Sequence, residues 1–151
     1  MGPLEWQRDG FVISTDPDRL DLDLVHAYLR DESYWAAGIP RDLCERSIAA
    51  SLPFGLYEGR RQIGFARVVS DRAAVAYLAD VFVVAERRGR GLGTWLVETA
   101  LAHPVLEPIR TFVLGTDDAH ELYRRFGFTE ADPGRWMVRS IPPEDLYGSR
   151  P

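Results

Sequence analysis

Three glycines at alternate positions, Gly89, Gly91 and Gly93, carry the clearest chemistry in the chain. They lie in Val81-Phe82-Val83-Val84-Ala85-Glu86-Arg87-Arg88-Gly89-Arg90-Gly91-Leu92-Gly93-Thr94-Trp95-Leu96, an apolar run that passes through a glycine loop into a helical pattern. A helix start leaves backbone N–H groups without intrahelical partners at the positive end of the dipole, so an anion is welcome there. Glycine removes the Cβ atoms that would hold a pyrophosphate at a distance. Arg88 and Arg90 add charge that does not titrate. A Walker loop would need a lysine, and the sequence has none. A Rossmann fingerprint read from Gly91 would need a third glycine where Leu96 stands. What remains is Arg-x-x-Gly-x-Gly at Arg88, Gly91 and Gly93; the plainer alternative is a glycine-rich turn with exposed arginines.

Periodicity supplies the elements that would position this loop. Phe11 to Thr15 reads as a strand closed by Asp16-Pro17-Asp18. Asp21 to Arg30 sets Leu22, Val25 and Leu29 on one helical face behind an acidic start. An aromatic loop, Ser33-Tyr34-Trp35-Ala36-Ala37-Gly38-Ile39-Pro40, leads to a second helix from Arg41 to Ser51. Phe54 to Tyr57 and Gln62 to Val69 form a hairpin about Gly59-Arg60, and Val75 to Ala85 is a third run whose Val81-Phe82-Val83-Val84 suits a strand buried on both faces. A helix from Gly91 to Ala102, a strand from Ile109 to Leu114 and a helix from Ala119 to Phe126 follow, the last stopped at Gly127. Phe128 to Arg139 gives one or two closing strands, with Trp136 on one of them, and about 142–151 is a loose tail. The order is a mixed sheet with helices packed on it, one domain over residues 1–151.

Composition bounds the partners. With 151 residues, 46% hydrophobic, 27% charged and a net charge of −5, the chain suits a single globular domain without a global basic field for nucleic acid. No apolar run reaches the ~18 residues of a membrane span, and the start lacks a signal peptide's apolar stretch. A single cysteine, Cys44, fits a reducing cytoplasm. All 18 basic residues are arginine, and asparagine is absent too, which suggests a GC-rich, bacterial genome. Without lysine there is no Schiff-base chemistry.

Arg88-Gly89-Arg90-Gly91-Leu92-Gly93 after a hydrophobic strand resembles the acyl-CoA pyrophosphate loop of the GCN5-related N-acetyltransferase (GNAT) family. About 30 residues on, Ala119-His120-Glu121-Leu122-Tyr123-Arg124-Arg125-Phe126-Gly127-Phe128 is similar to that family's late Ala-x-x-Leu-Tyr-x-x-x-Gly-Phe motif. The resemblance covers Phe11 to Arg139. It implies an α/β (α+β) fold with a mixed, largely antiparallel central sheet flanked by about four helices. It also implies a cytoplasmic enzyme that moves the acetyl group of acetyl-CoA to a primary amine, by direct attack in a ternary complex. The cofactor-binding set would be Phe82, Val83, Val84, Arg88, Gly89, Arg90, Gly91, Leu92, Gly93 and Thr94, with a backbone N–H of the strand polarising the thioester. Tyr123 would protonate the departing thiolate, or else simply pack the last helix. Asp80 would act as base through water, or else bond backbone N–H groups or an arginine such as Arg67. Thr116 stands where relatives often place a cofactor-touching asparagine.

Other residues carry less. Cys44 reads as a small buried hydrophobe, and His26, His103 and His120 show no ligand spacing, so no metal is expected. Trp95 reads as packing, Glu98 as a solvated helix residue. Tyr34 and Trp35 would fence or stack an acceptor, or anchor their loop into the core. Asp31 and Glu32 could attract a cationic amine. The expected acceptor is a small-molecule amine, with no nucleic acid or membrane partner, and a homodimer is compatible with the resemblance. Three competing readings stay open: a non-catalytic acyl-CoA sensor, an enzyme acting on protein N-termini or lysines, and a nucleotide site.

Overall fold

The computed structural model describes residues 2–148. Among these residues six strands form one sheet in the order β1-β2-β3-β4-β5-β6: β1 Glu5–Arg8, β2 Phe11–Ser14, β3 Leu52–Glu58, β4 Arg61–Ser70, β5 Val75–Val83 and β6 Thr111–Val113. Every neighbouring pair is antiparallel except β5 and β6, which are parallel. Among the described residues the helices are α1 Leu22–Asp31, α2 Arg41–Ala49, α3 Leu92–Leu101, α4 His120–Arg124 and α5 Pro143–Tyr147. This is the mixed, largely antiparallel sheet expected, with one more helix than the four anticipated.

Turn chemistry explains why the strands pair with their sequence neighbours. Asp9 (φ 52°) and Gly10 (φ 85°) both adopt positive φ, as a two-residue hairpin matched to strand twist requires. After β4, the Asp71 carboxylate accepts the N–H groups of Ala73 (2.9 Å), Ala74 (2.9 Å) and Val75 (3.1 Å). Those three donors hold its carboxyl down to about 2. Asp21 caps α1 by accepting from Leu24 N–H at 3.0 Å, and Pro40 precedes α2.

The sheet separates two cores. Leu56, Ile63, Val68, Leu78, Leu96 and Val97 pack α3 on one face. Val25, Leu29, Cys44, Ile48, Phe65 and Phe82 pack α1 and α2 on the other. Phe82, Val83 and Val84 are buried, which bears out the apolar run between two layers, and Trp95 is core as expected.

Three expectations need correction. β1 was not anticipated, although Asp9-Gly10 is a hairpin signal. The closing strands expected from Phe128 to Arg139 do not form: among the described residues the sheet ends at β6. Asp132 interrupts that run. Its carboxylate accepts Gly134 N–H at 2.8 Å, and its carbonyl accepts the N–H groups of Arg135 and Trp136 at 3.0 Å each, so Trp136 lies after a turn and not on a strand. The expected loose tail contains α5, whose Tyr147 packs on the second core; residues 149–151 lie outside the described residues.

Candidate active site

The sheet opens beside β5. β5 pairs with β6 only through Val75, Ala76 and Tyr77, opposite Thr111, Phe112 and Val113, yet β5 runs on to Val83. On its other side β5 carries a bulge: Phe65 aligns with Phe82 and Arg67 with Ala79, so one residue of β4, Ala66, faces two of β5, Asp80 and Val81. Asp80 lies inside that extra step with φ 56°, the left-handed region that a short polar side chain tolerates best. Val84 N–H donates to Ile63 O at 2.8 Å and therefore faces β4. Strand alternation then turns the backbone N–H and C=O of Val83 the opposite way, into the space that β6 has left. Of the Phe82 to Val84 stretch expected to meet a ligand, only Val83 presents its main chain to this cleft.

β5 leads through a 3-10 turn at Ala85–Arg87 into the glycine loop. Gly89 (φ 82°) and Gly91 (φ 74°) adopt conformations that side chains resist, and a Cβ at either would meet nothing within 4 Å. The space beside the loop is therefore open. Gly91 begins α3 without a side-chain cap, and the first helical bond is Trp95 N–H to Gly91 O at 3.1 Å. The N–H groups of Leu92, Gly93 and Thr94 consequently have no intrahelical acceptor. The two arginines diverge. Arg90 is exposed and makes no hydrogen bond or ion pair among the described residues. Arg88 folds inward instead, donating from Nε to Val83 O (3.0 Å) and from Nη2 to the Tyr28 hydroxyl (2.7 Å). Tyr28 in turn stacks on Phe82, with centroids 3.9 Å apart and planes within 6°.

Across the cleft, α4 holds Tyr123, which is 9% exposed and edge-on to Phe128. Burial chiefly, with smaller contributions from Tyr34 and Asp118, pushes its phenol up to about 12, so it is a protonated donor at neutral pH. Thr116 spends its hydroxyl on Ala119 N–H (3.0 Å), at the approach to α4.

The aromatic loop between α1 and α2 bridges these walls. The Tyr34 hydroxyl accepts Asp117 N–H at 2.8 Å, and Trp35 Nε1–H donates to Asp80 Oδ1 at 2.7 Å. Asp80 Oδ2 accepts Arg67 Nε–H at 2.6 Å, and Arg67 Nη1 also donates to Ser51 Oγ at 3.0 Å. The Arg67 and Asp80 side chains are only 15% and 8% exposed. Tyr34 and Trp35, neighbours in sequence, thus tie their loop to the approach to α4 and to β5, with Tyr34 near enough to Tyr123 to act on its phenol. Tyr28, Ser51 and Asp117 were not singled out by the sequence; of these only Tyr28 had a signal, its place on the buried face of α1.

Elsewhere the chemistry is quiet. Burial pushes the Cys44 thiol up to about 11, which suits a packing residue. His26 Nε2 lies 2.8 Å from Ile39 O. Among the described residues no three His, Cys, Asp or Glu side chains gather as a metal site would require, and no helix is long and apolar enough to cross a membrane. A cavity of about 900 Å³ lies along β6 and the segment after α4, with Tyr123 in its wall.

Residues 50–130 match the sequence profile of an acetyltransferase (GNAT) domain. The crystal structure of a protein assigned to the GNAT family from Xanthomonas campestris pv. campestris superposes with a TM-score of 0.89 at 44% identity, covering 95% of this chain and all of that one. A Gibberella zeae protein carrying an acetyltransferase name is 29% identical over 151 residues, covering 85% of this chain and 84% of its own. A Clostridium acetobutylicum protein crystallised with acetyl-CoA shares the fold, with a TM-score of 0.65 at 14% identity, covering 86% of this chain and 94% of that one.

Proposed function

Because this chain belongs to the GNAT acetyltransferase family, we propose that it transfers the acetyl group of acetyl-CoA to a small primary amine by direct attack. The observation that carries this reading is the parting of β5 from β6 beyond Tyr77, with the open glycine loop at the end of the same strand. Backbone N–H groups at Leu92, Gly93 and Thr94, with Arg90 beside them, would hold the diphosphate. Val83 N–H would face the thioester carbonyl and stabilise the oxygen as negative charge gathers there. Acetyl-CoA supplies an acyl carbon activated by a thiolate leaving group. The amine nitrogen forms a bond to that carbon, the C–S bond breaks, and the sulfur takes a proton from Tyr123. The proton that the amine loses passes through water and restores the Tyr123 phenol, so the enzyme ends each cycle as it began. Asp80 already carries a donor on each oxygen, which favours a positioning role for it over that of base.

The pinned aromatic loop supports a small acceptor. Tyr34 and Trp35 are fastened to Asp117 and to Asp80, so the loop is held in place and not free to swing aside for an extended peptide. Thiol release from acetyl-CoA across a panel of primary amines tests the proposal, with Tyr123→Phe as control. Turnover of at least one small amine, much reduced in the variant, is expected. Tight CoA binding without turnover of any amine would indicate a sensor, and turnover of peptides alone a protein acetyltransferase.

A further inference from the structure

Past the aromatic loop, one face of the sheet carries apolar side chains in solvent. Before residue 130, the exposed large apolar side chains among the described residues are Tyr34 (44%), Val69 (38%), Val75 (43%) and Tyr77 (44%). Three of them share a face by register. Val69 stands opposite Tyr77, and Val75 lies two residues from Tyr77 on the same strand. The alternate residues Val68, Ala76 and Leu78 belong to the α3 core. Val69, Val75 and Tyr77 therefore point to the side that α1 and α2 cover further along, over Phe65 and Phe82. That cover stops at the Arg67–Asp80 pair, which Trp35 and Ser51 bond from above. Tyr34, edge-on to Trp35 with centroids 5.0 Å apart, extends the aromatic border toward Asp117.

Position gives this floor a use. The free edge of β5 runs back from the glycine loop and closes where Tyr77 pairs with Val113. An extended arm anchored at the start of α3 and laid along that edge brings its thioester toward the closed end, beside Tyr77. An acceptor has to come to the same place. The floor it meets there, Val69, Val75, Tyr77, Thr111 and Val113, carries no charge. The adjoining ions, Arg67 and Asp80, are 15% and 8% exposed and neutralise each other. A phosphate, a carboxylate or a second ammonium on the acceptor would find no counter-charge on this floor. An aromatic ring would find another ring and two valines, and would cover apolar surface now in water.

We propose that the acceptor is an arylalkylamine, a primary amine carrying an aromatic ring, and that Tyr77 selects it by holding that ring. The inference rests on the acetyl-transfer reading and names the substrate class for it. Val69 and Val75 flank the ring, and Tyr34 borders it from the aromatic loop. The phenol of Tyr77 is not needed for this role; its ring is.

Steady-state kinetics with acetyl-CoA and phenethylamine, n-propylamine, putrescine or ethanolamine read the preference. Calorimetric titration of phenethylamine into the CoA-saturated protein reads the floor without turnover. Phenethylamine should have the highest kcat/KM, by on the order of 10-fold. Tyr77→Ser should lower the ratio of phenethylamine to n-propylamine kcat/KM about 10-fold, and Tyr77→Phe should restore it. Val69→Ser should lower the same ratio about 3-fold. Thermal midpoints should stay near the wild-type value, because both side chains are exposed in the single chain. Ratios that no substitution moves, or a preference for putrescine or ethanolamine, would overturn the floor's role and leave acetyl transfer standing. If no amine turns over yet phenethylamine binds, and Tyr77→Ser weakens that binding, acetyl transfer fails and the floor stands. Neither turnover nor binding would overturn both. A dimer that Tyr77→Ser dissociates in light scattering would give this face to a second copy and overturn the proposal.

Discussion

Asp80→Asn separates a latch from a base. Asparagine is nearly isosteric with aspartate and tolerates φ 56° well, so the bulge in β5 should persist. Its amide oxygen can still accept from Trp35, but the charge that holds Arg67 is gone. Removing one member of a buried ion pair costs about 3–5 kcal/mol. Arg67 keeps Ser51 Oγ and some exposure, so a loss of roughly 2–3 kcal/mol is expected. For a chain this long each kcal/mol is worth about 2–4 °C, which places the fall in thermal midpoint at about 4–12 °C. Because the carboxylate also fastens the aromatic loop, the KM of a turned-over amine should rise on the order of 10-fold. Acetyl-CoA affinity should hold within about 2-fold, and the acidic limb of the pH–rate profile should remain. Calorimetric unfolding and steady-state kinetics from pH 5 to 9 read all four quantities. An unchanged midpoint together with loss of the acidic limb would refute the latch and make Asp80 the proton acceptor.

Other consequences follow from the same geometry. Tyr123→Phe should lower kcat on the order of 100-fold while leaving the heat of CoA binding unchanged. In the wild type, a phenol pushed up to about 12 should give no basic limb of its own below about pH 11, and stopped-flow thiol release would detect one. Gly91→Ala should cost about 1–2 kcal/mol of stability through its backbone alone, since its Cβ meets no protein atom within 4 Å. The same Cβ intrudes on the anion's approach, so CoA binding should weaken about 10-fold or more in a calorimetric titration. Asp71 has a folded-state pKa of about 2, below its unfolded value near 3.8. Its contribution to stability is therefore present above about pH 4 and lost as pH falls toward 2. Asp71→Ala should flatten that part of a midpoint-against-pH series.

The glycine loop was legible because its requirements are local: backbone donors at a helix start, no Cβ, and a buried strand to carry it. The cleft beside it was not. A bulge at Asp80 depends on a left-handed backbone that alternation along β5 cannot reveal. The inward fold of Arg88 depends on Tyr28, 60 residues away in sequence. Trp35 and Asp80 were each singled out, but their hydrogen bond joins residues 45 apart and could not be read from either neighbourhood. β1 was overlooked because Glu5-Trp6-Gln7-Arg8 has a single strongly apolar residue; its pairing with β2 makes it a strand. Trp136-Met137-Val138 erred in the opposite direction. Its strand propensity is real, yet propensity does not supply a neighbour, and after the Asp132 turn no strand among the described residues pairs with it.

On the proposed reading, unpaired main-chain donors at the start of α3 hold the diphosphate of coenzyme A while the edge of β5 holds its pantetheine arm. Parallel calorimetric titrations with CoA and with pantetheine, which lacks the diphosphate, test it most directly. Saturable binding of CoA is expected, weakened on the order of 100-fold or more for pantetheine, with ATP and NAD far poorer competitors than unlabelled CoA. No heat with CoA, equal affinity for pantetheine, or displacement of CoA by ATP or NAD as effectively as by CoA itself would contradict it.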